Sequence, residues 1–425
     1  MQQSNALVAQ SGGPSPVINA SLQGVVEACL QSVAIATVYA AHHGIEGVLL
    51  ENLLDMGAQA SQELRRLKHS PAAAAGSCRY KLKDGYEADY KRILDVFKAH
   101  QIHYFFYIGG NDSMDTAHKV ERLAQISGYD LKVMGVPKTI DNDLGDEART
   151  LIDHTPGYGS CARYWANIIK SVEAENRAMN PSECVSVLQA MGRDSGFITA
   201  AARLGDPRRE MPLLLFLPEA GHTAEAVCDL IQDGLKRWGR VIAVVPESLM
   251  GDRDSRKVDG FGHVEYGASK TTAMQTVVNL LNSVKLPVRG QATGQIPGIL
   301  QRSCAVEASD VDRGEAYILG QKAVEYALSG ISGRMATILR VSDRPYIVRY
   351  DHVALEKVAN AARKLPKAWI APGGTDVTDD FIAYARPLIG ETTAHFESED
   401  SLLRFARLDY THVPKKLPAY LPCGF

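Results

Sequence analysis

The chain has 425 residues, 45% apolar and 22% charged, with a formal net charge of −3 at pH 7. That length exceeds what one hydrophobic core organises, and the composition excludes a disordered or collagen-like chain. The near-neutral charge gives no general attraction to nucleic acid or to an anionic membrane, so a phosphate-bearing ligand has to be held by local features.

In chain order, the apolar run NALVAQ (5–10) stops at SGGP (11–14), and the next stretch places Val17, Ile18, Leu22, Val25, Val26 and Cys29 at near-helical spacing. This reads as strand, glycine turn, helix. The same grammar recurs in HYFFYIGG (103–110) before NDSMDTAHKVERLAQ, and in LKVMGVPK (131–138) before a polar loop and a helix-like stretch over 158–179. It returns in CVSVLQAMGR (184–193) before DSGFITAAARL, in PLLLFLPE (212–219) before TAEAVCDLIQDGLKRW, and in RVIAVVPES (240–248). Continuous apolar strands alternating with helices predict an α/β fold, with mainly parallel sheets covered on both faces and ligands at the carboxyl ends of the strands. The loop-like text around 151–158 marks a boundary between two such lobes. From about 340 onward prolines accumulate and periodicity weakens, which predicts an appended carboxyl-terminal extension.

The seven cysteines are dispersed and form no C-x-x-C pair, so reduced thiols are expected rather than a disulfide framework or a zinc ribbon. The amino-terminal MQQSNALVAQSGGP has no basic segment leading into a long apolar one, and no apolar run approaches the roughly eighteen residues a membrane span needs. The expected location is the cytoplasm.

Several strand ends carry chemistry. Gly12 and Gly13 open a helix, where backbone N–H groups can approach a phosphate; a simple sharp corner is the plainer alternative. Gly109 and Gly110 repeat the device, followed by Asn111, Asp112 and Ser113. These three suit either helix capping or oxygen ligation of a hard cation such as magnesium. In GVPKTIDNDLGDEART (135–150), Asp141 and Asp143 lie two apart after an extended Val-Pro segment, with Lys138 just before them. One carboxylate can take a proton from an attacking hydroxyl while the other serves a metal, and the lysine offsets charge developing on a transferring group. Asp146 and Glu147 read as solvated decoration. Met191, Gly192 and Arg193 end another strand and Glu247 a further one; a carboxylate there suits sugar hydroxyls and an arginine suits phosphate, with a surface ion pair or a helix cap as the alternatives. Arg289 and Arg302 flank GQATGQIPGILQ, and His42-His43 reads as a loop.

The ordered set SGGP, GSCRYKL (76–82), GGNDS, PKTIDND, MGRDSG, VVPES and ILQR resembles the phosphofructokinase family, specifically its pyrophosphate-dependent branch, over about residues 5–330. The resemblance implies two Rossmann-like three-layer lobes with the active site in the cleft between them. Residues 1–152 with about 302–345 would form the donor and magnesium lobe, 153–301 the sugar phosphate lobe, and 346–425 the extension. It implies reversible phosphoryl transfer from pyrophosphate to the 1-hydroxyl of fructose 6-phosphate, with Mg2+ as cofactor and a homo-oligomeric assembly. Asp141 would be the general base. Gly12, Arg79 and Ser113 would meet the donor. Thr139, Ile140, Met191, Gly192, Arg193, Glu247, Ile299 and Arg302 would hold the sugar phosphate, and Asn111 and Asp143 the metal.

Relatives that use ATP carry glycine where this chain has Asp112, and commonly glycine where it has Lys138. The resemblance therefore implies that Asp112 blocks the nucleotide's α-phosphate while Lys138 serves the shorter donor. Two unit charges about 4 Å apart repel by roughly 4 kcal/mol at an effective dielectric near 20, about a thousandfold in discrimination. The chain departs from the family pattern at Asn111, where many relatives have Asp, at Cys184 in place of a phosphate-binding arginine, and at Ile299 in place of His or Tyr. A looser acceptor site opens the way to other sugar phosphates, including sedoheptulose 7-phosphate. The alternatives are a non-catalytic sugar-phosphate-binding regulatory subunit and an ATP-dependent sugar-phosphate kinase.

Overall fold

A computed structural model describes residues 3–249, 271–359, 362–391 and 396–424. Residues 250–270 of the expected second lobe, and 360–361, 392–395 and 425 of the expected extension, lie outside the described residues.

The first sheet is built from β1 (Ser4–Gln10), β2 (Ile35–Ala41), β3 (Leu53–Asp55), β4 (Ile102–Gly109) and β5 (Lys132–Pro137). The second holds β6 (Val185–Ala190), β7 (Leu213–Leu215), β8 (Val241–Pro246) and β9 (Ala292–Gln295), after which β10 (Arg334–Asp343) and β11 (Tyr346–Ala354) return to the first. Their orders are β11-β10-β5-β4-β1-β2-β3 and β7-β8-β6-β9. The second sheet is parallel throughout, and in the first only the edge strands β3 and β11 run antiparallel.

Alternation along the central strands explains how each sheet is sealed on both faces. Leu7, Ala9, Phe105 and Tyr107 enter one core and Ala6, Val8, Phe106 and Ile108 the opposite one. In the second lobe, Leu188, Ala190, Ile242 and Val244 face one core while Val187, Val241, Ala243 and Val245 face the other. Helix Ile18–Leu30 packs on helix Asp310–Leu328 with almost no separation at Gly24, where a Cβ would come 2.0 Å from the Tyr317 carbonyl oxygen. Asp312 in turn accepts from the backbone N–H groups of Gly157 (2.8 Å) and Ser160 (2.9 Å), capping helix Tyr158–Met179 and tying the two lobes together.

The chain after β10 divides its packing between the lobes. β11 pairs with β10, Leu365, Trp369, Phe381 and Leu388 join the core of the second lobe, and Leu408 joins the first. Register decides where the chemistry goes. Gln10 pairs with Ile108 and Ile108 with Val136, so the loops after β1, β4 and β5 emerge side by side; Ala190 pairs with Pro246, which does the same for the loops after β6 and β8.

Candidate active site

Those five loops face one another across a cleft of about 680 Å³. Every residue expected from sequence at the site lines it: Gly12, Arg79, Asn111, Asp112, Ser113, Lys138, Thr139, Ile140, Asp141, Asp143, Met191, Gly192, Arg193, Glu247, Ile299 and Arg302. Arg289 lies elsewhere, in a shallow groove beside Lys285. His42 and His43 are stacked, and His42 Nδ1 lies 2.9 Å from His412 Nε2; no cluster of three or more histidine, cysteine, aspartate or glutamate side chains able to hold a metal occurs among the described residues. All seven thiols are free.

On the donor side, Gly12 turns with φ 75°, a conformation that favours glycine, and a Cβ there would sit 3.3 Å from Lys138 Nζ. The Lys138 ammonium, 3% exposed, donates to the Gly13 carbonyl oxygen at 2.6 Å. Burial, with Arg302 as its strongest repulsive neighbour and Arg193 and Arg79 adding to it, pushes this ammonium down to about 7 against the pull of Asp141. Arg302 is itself lowered by burial and by Arg79. Four cations therefore converge on one small volume and destabilise one another.

Helix Asn111–Ile126 begins at the same edge, and its cap position falls on Gly110 without a side-chain capping bond, so capping does not account for Asn111, Asp112 and Ser113. Lys81 Nζ lies 3.2 Å from Asp112 Oδ1, an ion pair whose carboxylate side chain is 13% exposed. Asn111 donates to Asp143 Oδ2 at 3.4 Å, while its Oδ1 is buried and finds no donor among the described residues. Burial, and next the neighbouring Asp141, raise the Asp143 carboxyl to about 7. An orphaned amide oxygen beside a crowded carboxylate fits a hard cation completed by water and phosphate oxygens.

On the acceptor side, Gly192 adopts φ 118° and Arg193 φ 52°. That turn lets the Arg193 N–H donate to Glu247 Oε1 at 3.0 Å and the Met191 N–H to Gln301 Oε1 at 3.0 Å. Burial, then Asp141, raise the Glu247 carboxyl to about 7. The cleft also gathers residues to which the sequence assigned no role: Lys81, Asp194, Ser195 and Gln301, which lie within the quoted motifs, and Arg363 and Lys364, which lie outside them. Lys81 stands two positions from Arg79 in GSCRYKL and was open to discovery by alternation; Arg363 and Lys364 sit in a stretch without periodicity.

Anion-hungry cations around a carboxylate pair, at the carboxyl ends of parallel strands and between two α/β lobes, define an enzyme that handles phosphorylated ligands. The sequence model of the Phosphofructokinase family matches residues 5–327, and the chain belongs to that family. It is 38% identical over 431 residues to the pyrophosphate--fructose 6-phosphate 1-phosphotransferase of Halomonas elongata, covering 99% of this chain and 100% of that one. To the protein of the same name from Methylococcus capsulatus it is 38% identical, with 98% of each chain covered. Among solved structures, the pyrophosphate-dependent phosphofructokinase of Nitrosospira multiformis superposes with a TM-score of 0.86 at 35% identity, covering 98% of this chain and 100% of that one. Among the described residues, no helix is long and apolar enough to cross a membrane.

Proposed function

We propose that the protein transfers a phosphoryl group from pyrophosphate to the 1-hydroxyl of fructose 6-phosphate, giving fructose 1,6-bisphosphate and phosphate. The observation that carries this reading is the crowding of Lys138 by Arg79, Arg193 and Arg302 beside Asp141. Such a site is stabilised by a polyanion and holds a carboxylate where an attacking hydroxyl would lose its proton.

In this reading Asp141 accepts the hydroxyl proton and Lys138 balances charge passing to the leaving phosphate. Gly12, Arg79 and Ser113 face the donor. Thr139, Ile140, Met191, Gly192, Arg193, Glu247, Ile299 and Arg302 surround the sugar phosphate, with Glu247 oriented by the Arg193 N–H to meet sugar hydroxyls. Asn111 Oδ1 and Asp143 would hold Mg2+, which when bound neutralises charge on the phosphoryl oxygens. Asp112 stands in the way of a longer nucleotide donor, and Lys81 Nζ, 3.2 Å from its Oδ1, holds the carboxylate in place. Free thiols throughout the chain support a reducing, cytoplasmic setting, and a homo-oligomer is inferred from the resemblance.

The test is direct. Purified protein is given Mg2+ and fructose 6-phosphate with either pyrophosphate or ATP, and the bisphosphate is measured. Turnover with pyrophosphate and none with ATP is expected; the reverse pattern overturns the donor assignment, and binding of fructose 6-phosphate without any turnover favours a regulatory subunit.

A further inference from the structure

We propose that Arg363, which lies beyond the residues matched to the family, is a positioning residue for the loop that carries Asp141 and Asp143. The inference rests on the role given to that loop above. Arg363 is 1% exposed, and its contacts concentrate on one target. Its backbone N–H donates to the Asp143 carbonyl oxygen at 2.6 Å, Nε to the Asn142 carbonyl oxygen at 2.9 Å and Nη2 to Asn142 Oδ1 at 2.8 Å. Nη1 reaches the far end of the same loop, donating to the carbonyl oxygens of Ile152 (2.9 Å) and Asp153 (3.1 Å). Its own carbonyl oxygen accepts from Ser195 Oγ at 3.2 Å, so the same residue ties the loop to the acceptor lobe.

Two features separate this from an ordinary tail anchor. Asn142, between the two acidic residues, has φ 57°, a backbone conformation that non-glycine residues rarely adopt and that persists when surrounding bonds over-determine it. Arg363 holds both its carbonyl and its side-chain oxygen, and Asn142 also donates to Tyr384 Oη at 2.9 Å and accepts from the Thr155 N–H at 3.0 Å. Moreover, the guanidinium hydrogen bonds to Asn142, Ile152 and Asp153 all end on neutral oxygens. A neutral donor would dock a tail at lower desolvation cost. A guanidinium spans the three carbonyls and the amide at once, fixing the turn at Asn142 that Asp141 and Asp143 flank.

The experiment measures steady-state kinetics of the full-length Arg363→Ala, Arg363→Lys and Asn142→Gly variants with pyrophosphate and fructose 6-phosphate, at a temperature where circular dichroism shows each folded. Hydrogen–deuterium exchange is followed in peptides covering 139–145 and 102–109. Arg363→Ala is expected to lose about a hundredfold in kcat, the scale of a small misplacement of reacting groups, while KM for each substrate stays within about threefold. Added guanidinium ion restores part of kcat and ammonium does not. Exchange rises in 139–145 and not in 102–109. Unchanged kcat in folded Arg363→Ala, or exchange that rises equally in both peptides, overturns the proposal. If Arg363→Ala does not fold, Arg363→Lys and Asn142→Gly decide: both lose kcat with exchange confined to 139–145, or the proposal fails. If the unmodified protein turns out to use ATP, the same comparison is made with ATP, and absence of all turnover refutes the proposed function while the exchange data still judge Arg363.

Discussion

Replacing Asp112 by glycine tests the donor choice most directly. The carboxylate sits in the first turn of helix Asn111–Ile126, 3.2 Å from Lys81 Nζ. A donor phosphate about 4 Å from it meets a repulsion of roughly 4 kcal/mol at an effective dielectric near 20. With the lysine side chain 32% exposed and the carboxylate 13%, solvent and the ion pair both screen that figure, and about 2 to 4 kcal/mol is the working range. Asp112→Gly therefore raises kcat/KM for ATP by about thirtyfold to a thousandfold, and it releases Lys81 to face the added phosphate. Asp112→Asn keeps nearly all the volume and removes the charge, so its gain is smaller by whatever part is steric. Glycine in a helix and the loss of an acidic group at its amino end cost about 1 to 2 kcal/mol of stability, which thermal unfolding reads independently. The assay is initial rate against donor concentration at saturating fructose 6-phosphate. A ratio of ATP to pyrophosphate efficiency that stays within threefold of the unmodified protein refutes the reasoning.

Other consequences follow from the same geometry. Asp141→Asn removes the proposed proton acceptor and is expected to lower kcat by about 10²- to 10⁴-fold with fructose 6-phosphate affinity retained, checked by rapid-quench kinetics and by calorimetry. Because the Lys138 ammonium is held down to about 7, anion binding raises it and draws in a proton. Calorimetry of pyrophosphate binding in two buffers of different ionisation enthalpy should find uptake approaching one proton near pH 8 and little below pH 6, and Lys138→Met should abolish it. Burial opposes charge on His154, but Glu315 at 2.7 Å and Asp153 at 2.8 Å outweigh it and raise the imidazole to about 9. A group raised above its unfolded value of 6.5 gives stability that is complete below that pH and is lost as pH rises through 9; the gap is worth about 3 kcal/mol. The unfolding midpoint should fall between pH 7 and 10, with the slope missing in His154→Gln, and a flat profile in the unmodified protein would sink this account.

The elements most open to sequence reading were those where local chemistry and tertiary fate coincide. An apolar run buried on both faces and stopped by glycine has one plausible end, which is why the loops after β1, β4 and β5 were found, and the apolar stripe over 158–179 marks helix Tyr158–Met179 to its limits. β7 shrinks to Leu213–Leu215 within PLLLFLPE because Pro212 and Pro218 close it off. β11 escaped notice for the opposite reason: its residues are half-buried or exposed along almost its whole length, so no apolar alternation announces it, and pairing with β10 alone makes it a strand. Arg363 is the extreme case. Its hydrogen bonds reach residues more than two hundred positions away, and nothing in KVANAARKLP distinguishes it from a solvated arginine.

Charge explains why so few residues suffice for selectivity. Lowering a lysine from 10.5 to about 7 corresponds to an electrostatic and desolvation cost on the order of 5 kcal/mol at Lys138. An anion recovers that energy only by approaching Lys138 and its three arginines closely, which any phosphorylated donor does to some degree. Affinity for phosphate as such therefore discriminates nothing. Discrimination has to come from a group placed beyond the reach of the short donor and within reach of the long one, and in the proposed reading that group is Asp112, one residue into the next helix and anchored by Lys81. On the proposed function, the carboxylate inside the anion site and the cations around it are thus complementary: the cations would supply binding that both donors share, and the single opposing charge would determine which of them binds productively.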